Sequence, residues 1–301
     1  MATTTTVSSN YAGRDAGVII GQAFKTIDTI EKNAVTIAEN VNYKLSLRKI
    51  AYTDGTTAYT CGFAPAGTIV LNENLIEPFK FKNDFDVCKE DFRATWSDGI
   101  MGGSASNPTA PSDIMDAIQA EVLGAIGEKL ETDIWTSSTN FDGFLTQFDA
   151  DGDVNKPTAD AAVTEANVLT KYLKPALAAV PIALRNKELV FAVSPDVAQF
   201  YAFHLSTQGI TYGMGNTDFP LAFGRHTLVV LNGLPANSVV IYERKNLVFA
   251  TGLTADYNQV ALVDEDEIGL LTGKVRGKVV YAVGVGYYNA EEIVYLTLAG
   301  A

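Results

Sequence analysis

The 301-residue chain carries 22 Lys and Arg against 35 Asp and Glu, a formal net charge of −13, with 47% apolar and 19% charged residues. That apolar content is too high for a disordered chain and suffices for a substantial core, arranged as one large domain or two smaller ones. The acidic excess repels phosphate backbones and anionic membranes, which argues against sequence-directed DNA binding and against attachment to a membrane surface.

No apolar run approaches the roughly 20 residues that span a bilayer. The opening MATTTTVSSNYAGRD has neither a basic nor an apolar segment of the kind a signal peptide needs, and its small hydroxylic residues predict a mobile arm. Cys61 and Cys88 lack Cys-x-x-Cys spacing and predict reduced thiols rather than a disulfide framework.

After the arm, Ile19, Ala23, Ile27 and Ile30 predict a weakly periodic helix within Ala16 to Asn40, with Gly17 and Gly21 weakening its start. Leu45 to Tyr52 and Thr57 to Cys61 flank Asp54-Gly55, which predicts a β-hairpin with a tight type I′ turn. Two further strands follow at Thr68 to Leu71 and Phe79 to Val87. The polar and aromatic residues of this region predict an arm that projects and packs on neighbours. A Gly/Ser/Asn/Pro-rich loop, Trp96 to Pro111, leads into the clearest helix. Ser112 is its expected N-cap, Asp113 and Asp116 suit the positive end of the helix dipole, and Ile114, Ile118, Val122, Ile126, Leu130 and Ile134 recur at every fourth position. Gly124 and Gly127 inside it predict close packing.

Asp149 to Asp160 reads as a polar boundary. A helix over Thr164 to Leu184 is expected in two pieces because of Pro175 and Pro181, and Glu188 to Val193 is expected as a buried strand. Ser194-Pro195-Asp196 should start another helix, with Ser194 as N-cap and Pro195 at its first position. Gly209 to Gly224 reads as a loop. Thr227 to Leu231, Ser238 to Tyr242 and Leu247 to Ala250 are strands between turns. The closing ribbon puts Val275, Val279, Tyr281, Val283, Val285 and Tyr287 on one face, and Asn289-Ala290-Glu291 is expected to turn it back into Ile293 to Leu298.

Sites for chemistry are sparse. Asp149, Asp151, Asp153 and Asn155, with Asp160 at the twelfth position, resemble a calcium loop, and Asp149, Asp151 and Asp153 are the weak metal candidates. The sixth position, where that loop needs Gly, is Val154. Asp264-Glu265-Asp266-Glu267 reads as a solvated turn or as a patch for a neighbour's Lys or Arg. His204 sits in an aromatic helical stretch as a packing residue. No Ser or Cys has an activating context, so the chain is read as a non-enzyme with no cofactor. A calcium-dependent binding or adhesion module is the alternative from a different class.

The order of elements, and above all GLPANSVVIYERKNLVFATGL (233–253) followed by Asp264 and the ribbon through YYNAEEIV (287–294), resembles the HK97-fold major capsid proteins of tailed double-stranded DNA bacteriophages. That resemblance implies an α+β fold with an N-terminal arm (1–44) and an extended β-hairpin loop (45–90). It also implies a peripheral domain (91–154 and 253–301) with a spine helix at 112–136, and an inserted axial α/β domain (155–252). It implies self-assembly into hexamers and pentamers that form an icosahedral shell around packaged DNA, held without sequence-specific contact. A separate scaffolding protein and a portal would be partners, no membrane would be involved, and the setting would be a virion assembled in the host cytoplasm. The candidate inter-subunit residues are Asp54, Gly55, Tyr52, Tyr59 and Phe63 of the extended loop. The absence of lysine from Ile50 to Glu77 departs from members that cross-link a lysine of this loop to a neighbour. An encapsulin-like compartment shell is the alternative within the same fold.

Overall fold

The computed structural model describes residues 27–41, 43–59, 61–63, 65–89, 112–208, 221–252, 260–266, 268–270 and 272–299. Two compact units emerge: Lys80–Leu130 with Gly252–Ala282, and Ile27–Phe79 with Glu131–Thr251 and Val283–Ala301.

The second unit is built on a six-stranded sheet of order β5-β13-β9-β6-β8-β7. Its strands are β5 (Thr158–Ala159), β6 (Leu189–Val193), β7 (Ala222–Phe223), β8 (His226–Val230), β9 (Val239–Glu243) and β13 (Val294–Leu298). Every residue of β6 is buried, as expected of a continuous Leu-Val-Phe-Ala-Val run covered on both faces. Phe191, Val193, Val239 and Ile241 share a core with Tyr172, Leu173, Ala176, Val197 and Tyr201 from the helical segments. The expected kinked helix is a π-helical turn, Val168–Leu173, running directly into a short α-helix, Lys174–Ala179. Pro175 falls at the start of the α segment, where the wider preceding turn absorbs its missing N–H, and Val180 turns extended ahead of Pro181. Pro195 opens the helix Pro195–Thr207 as expected. Ser194 does not cap it through its side chain; its buried hydroxyl instead donates to the carbonyl of Ser238 at 3.2 Å.

In the same unit, β10 (Leu247–Thr251) pairs in parallel with β1 (Thr36–Ala38) and antiparallel with residues Val283–Tyr287 of β12 (Lys274–Tyr287). The end of the long helix Ser112–Trp135 anchors an aromatic cluster. Trp135 lies 5.3 Å from Phe144, which neighbours Phe148 at 6.1 Å, and Phe148 meets the edge of Tyr287 at 5.5 Å. Beside it, the carboxylate of Glu131 is buried and accepts from the Thr29 amide (3.0 Å) and hydroxyl (2.7 Å), while the Trp135 indole donates to that hydroxyl at 2.7 Å. Burial raises the Glu131 pKa, and nearby Asp28 adds to the shift against the hydrogen bonds from Thr29.

In the first unit, β11 (Val260–Asp264) pairs antiparallel with Val275–Val279 of β12, and β4 (Phe79–Cys88) also joins β12. The ribbon alternates as expected over this half, with Val275, Gly277 and Val279 buried and Arg276, Lys278 and Val280 exposed. From Ala282 to Tyr287 both of its faces are buried, which the sequence registers only as small residues between valines.

Several expectations are corrected. Of the predicted helix over Ala16 to Asn40, residues up to 26 lie outside the described residues. The remainder forms a single turn, α1 (Asp28–Glu31), followed by β1, because Asn33 takes positive φ just past the turn and ends helical geometry. Ile293 to Leu298 does not fold back on the ribbon: β13 pairs with β9 and β5, so the short 3-10 turn Ala290–Glu292 carries the chain from one sheet to the other. Gly209 to Phe219 and Pro220 lie outside the described residues, and Ala222–Phe223 forms a short hairpin strand with His226–Thr227. The predicted N-cap side chain of Ser112, with Asp113 and Ile114, also lies outside the described residues. Along the rest of that helix burial deepens from half-buried Ile118 and Val122 to buried Ile126, Leu130 and Ile134.

Candidate assembly surface

Strands β2 (Leu45–Thr53) and β3 (Thr68–Ile76) form an antiparallel hairpin in unbroken register from Leu45↔Ile76 to Thr53↔Thr68. The hairpin is therefore real, but its turn is not Asp54-Gly55. The connection runs from Asp54 to Gly67, and Thr57 to Tyr59 and Cys61 belong to no strand. Asp54 explains the difference. Its carboxylate accepts from the Thr56 amide at 2.9 Å and the Thr56 hydroxyl at 2.6 Å, an Asx turn that leads the chain outward instead of closing a two-residue loop. Those two bonds hold the Asp54 carboxyl below its usual range.

The base of the hairpin is seated. Leu47 and Ile76 are each 2% exposed and pack with Val41, Val248 and Ala250. A Cβ at Gly286 would lie 2.7 Å from Ile76 Cγ1, and one at Gly284 would lie 2.9 Å from Ile76 Cγ2. The glycines thus make a trough that only bare backbone can provide. Lys49 donates to Asn289 Oδ1 at 2.6 Å and Asn74 to the Tyr287 carbonyl at 3.1 Å, and Lys44 pairs with Glu77.

Beyond the seat none of the described hairpin residues is buried. Ile50 opposes Leu71 and Tyr52 opposes Ile69, so these four side chains share one face, and all are exposed. In the connecting loop Tyr59 and Phe63 are 91% and 96% exposed, and Cys61 is a free, exposed thiol. Gly55 comes so near the Gly67 backbone that a Cβ would meet Gly67 N at 2.1 Å, and Tyr52 lies against Gly67. The loop is pinched at its neck. Of the five residues singled out in the sequence, Asp54, Gly55 and Tyr52 shape the neck while Tyr59 and Phe63 form the tip. The apolar stripe of Ile50, Ile69 and Leu71 was missed; alternation across the two strands could have revealed it had the register been known.

The aspartate loop does not gather around a common centre. Asp151 accepts from Tyr287 OH at 2.7 Å with one oxygen and from the Asp153 amide at 2.9 Å with the other, while the Asp149 carbonyl accepts from Lys156 at 2.8 Å. Among the described residues no three His, Cys, Asp or Glu side chains are placed to share a metal ion. His204 Nδ1 lies 3.1 Å from the Glu165 carbonyl. The acidic turn needs correction as well. Lys89, 5% exposed, lies between Asp264 (2.6 Å) and Asp266 (2.9 Å), Arg276 reaches Glu265 at 2.5 Å, and Glu267 lies outside the described residues. The tract closes on cations of its own chain because β11 and β12 bring both ends of the turn to the same place.

No protein-family model matches the sequence, and no curated protein matches it. Solved structures do. The capsid of an empty GTA particle superposes with a TM-score of 0.60 at 10% identity, covering 99% of this chain and 96% of that one. A Gordonia phage Cozz structure gives 0.59 at 10% identity over 98% and 92%. The fold is the HK97-like capsid fold. The holo-SrpI encapsulin complex from Synechococcus elongatus PCC 7942 shares it too, with a TM-score of 0.59 at 12% identity over 95% of this chain and 91% of that one. At these identities the likeness is one of backbone path and concerns the fold alone.

Proposed function

We propose that this chain is the major capsid protein of a tailed double-stranded DNA phage, assembling into hexamers and pentamers that close an icosahedral shell. The observation that carries this reading is the agreement of fold with capsid shells along nearly the full length of both chains. The seated hairpin with an apolar, unburied outer half supports it. A monomer gains nothing from exposing Ile50, Tyr52, Tyr59, Phe63, Ile69 and Leu71 together, whereas a neighbouring copy can cover them. On this reading residues 1–44 are the arm and 45–90 the extended loop. The remainder divides into a peripheral domain (91–154 and 253–301) and an axial domain (155–252). Each contact can be weak because closed symmetry repeats it. An acidic chain keeps packaged DNA from adhering to the wall. A scaffolding protein and a portal complete the proposed partners, and assembly takes place in the host cytoplasm.

A compartment shell is the second reading, favoured by the encapsulin match. Negative-stain microscopy of the full chain, expressed alone and with its neighbouring genes, tests both. Uniform closed shells that hold DNA when packaging genes are present support the phage reading, and shells that enclose a protein cargo support the compartment. A monodisperse monomer under every condition refutes self-assembly.

A further inference from the structure

The hairpin leaves a long strand edge without a partner. Among the described residues β2 and β3 pair only with each other, so the outer edge of each presents a row of N–H and C=O groups that no strand meets. The two edges are guarded differently. β2 carries Arg48 and Lys49 at its middle, whereas β3, TIVLNENLI, has Glu73 as its one charge and contains no proline. Its nine residues extend about 30 Å at about 3.3 Å each. An edge so long and so lightly charged is a template for a further strand. A groove of about 750 Å³ continues along it. Asn74 to Glu77 form one wall, the helix Phe144–Ala150 contributes to the other, and Phe141 and Val285 add apolar lining. No residue of β2 lines this groove, which puts it on the open side of β3.

We propose that β3 pairs antiparallel with β3 of a second copy across a two-fold axis at Val70, and that the tip of each hairpin enters the groove of the other copy. The inference rests on the capsid reading and adds an isologous contact to it. Antiparallel pairing of identical strands needs an axis normal to the sheet, which keeps the apolar faces of both hairpins on one side. With the axis at Val70, Thr68 faces Asn72 of the other copy and Ile69 faces Leu71. Each row then reads Tyr52, Ile69, Leu71, Ile50 across four strands, all apolar neighbours of the kind that stabilise a sheet. An axis at Leu71 or Asn72 would set Glu73 against Ile69 or Leu71, and one at Glu73 would oppose two carboxylates. The same register accounts for the tip. Phe63 lies as far before Thr68 as Glu77 lies beyond Asn72, so it comes level with the groove of the other copy at Glu77. A second copy is the occupant because the strand complements itself, and the chain supplies both the groove and the exposed aromatic side chain that fills it.

Cysteine pairs read the register directly. In the full chain carrying Cys61→Ser and Cys88→Ser, Val70→Cys sets two thiols across the axis. Directly opposed residues have Cα atoms about 4.5–5.5 Å apart, within disulfide reach. After oxidation this variant should run as a covalent dimer on a non-reducing gel. Ile69→Cys alone should stay a monomer, and Ile69→Cys assembled with Leu71→Cys should give the dimer. A second measurement leaves the native cysteines in place. Val70→Lys and Val70→Glu each oppose like charges at the axis, so each should melt as wild type does yet form no shells, while an equal mixture of the two should form them. Val70→Cys shells that do not cross-link, Ile69→Cys that cross-links as well as Val70→Cys, charge variants that assemble singly, or a mixture that does not recover each overturns the proposal and leaves the capsid reading standing. A Val70→Cys dimer from a chain that never forms shells supports the pairing and sinks the capsid reading.

Discussion

Gly286→Ala tests the seat of the hairpin. The added methyl would stand 2.7 Å from Ile76 Cγ1, 2.9 Å from Ile76 Cδ1 and 3.9 Å from Leu47 Cδ1. Apolar carbons rest at about 3.5–4.0 Å, so the intrusion is about 1 Å into a site where Ile76 and Leu47 are fully enclosed. Ile76 cannot easily swing aside, because its β-branch restricts χ1. Overpacking of this kind costs about 1–3 kcal/mol, and the lower chain entropy of Ala in the unfolded state returns about 0.4–1 kcal/mol. A net loss of about 1–2 kcal/mol, confined to the hairpin, should speed amide exchange at Leu45–Leu47 and Asn74–Ile76 by about 5–30-fold while leaving β6 and β9 protected. Ile76→Ala alone opens a cavity and costs about 2–5 kcal/mol, but combined with Gly286→Ala it should cost less than the sum, because one methyl fills part of the space left by the other. Unchanged exchange in Gly286→Ala, or strict additivity of the pair, would refute the argument that these glycines hold the hairpin.

Further outcomes follow from the same geometry. Replacing Tyr59 and Phe63 together by Ser should leave subunit stability within about 0.5 kcal/mol of wild type and abolish shells; a melting shift of several degrees would show that the tip packs on its own chain. Because burial raises the Glu131 pKa above 4.5, its proton is held more tightly in the folded state. Stability therefore declines as pH rises from about 4.5 through the raised value, and Glu131→Gln should flatten that decline in melting temperature against pH. Hydrogen bonds from the Gly273 amide and Lys89 lower the Asp266 pKa below 3.8, and the two aspartates, against the opposing effect of burial, raise that of Lys89 above 10.5. The contribution of this cluster is complete between those values and is lost as pH falls below 3.8 or rises above 10.5, and Lys89→Ala should make the β11–β12 turn the first site of proteolytic cleavage. Calcium should leave the melting temperature unchanged, since both oxygens of Asp151 already accept hydrogen bonds; a rise would revive the calcium-loop reading.

Much of the fold is written locally. Continuous β-branched runs such as Leu189–Val193, the period of the helix ending at Trp135, Pro195 at a helix start and the half-alternating ribbon all express preferences that neighbouring residues settle among themselves. Their order also carried the resemblance to capsid proteins. Asp54-Gly55 shows where local preference fails: the same dipeptide suits a type I′ turn or an Asx turn, and the pairing of Leu45–Thr53 with Thr68–Ile76 decides between them. Ile293 to Leu298 would pair as readily with the ribbon before it as with β9, and the choice belongs to the whole sheet. Which apolar residues remain uncovered is likewise tertiary. Ile50 and Ile76 are the same residue type in paired strands, yet one is 71% exposed and the other 2%, because only one lies over Gly284 and Gly286. Local sequence set most of the elements and their order; which of their faces meets another element, and which stays uncovered, arises only when distant segments are brought together.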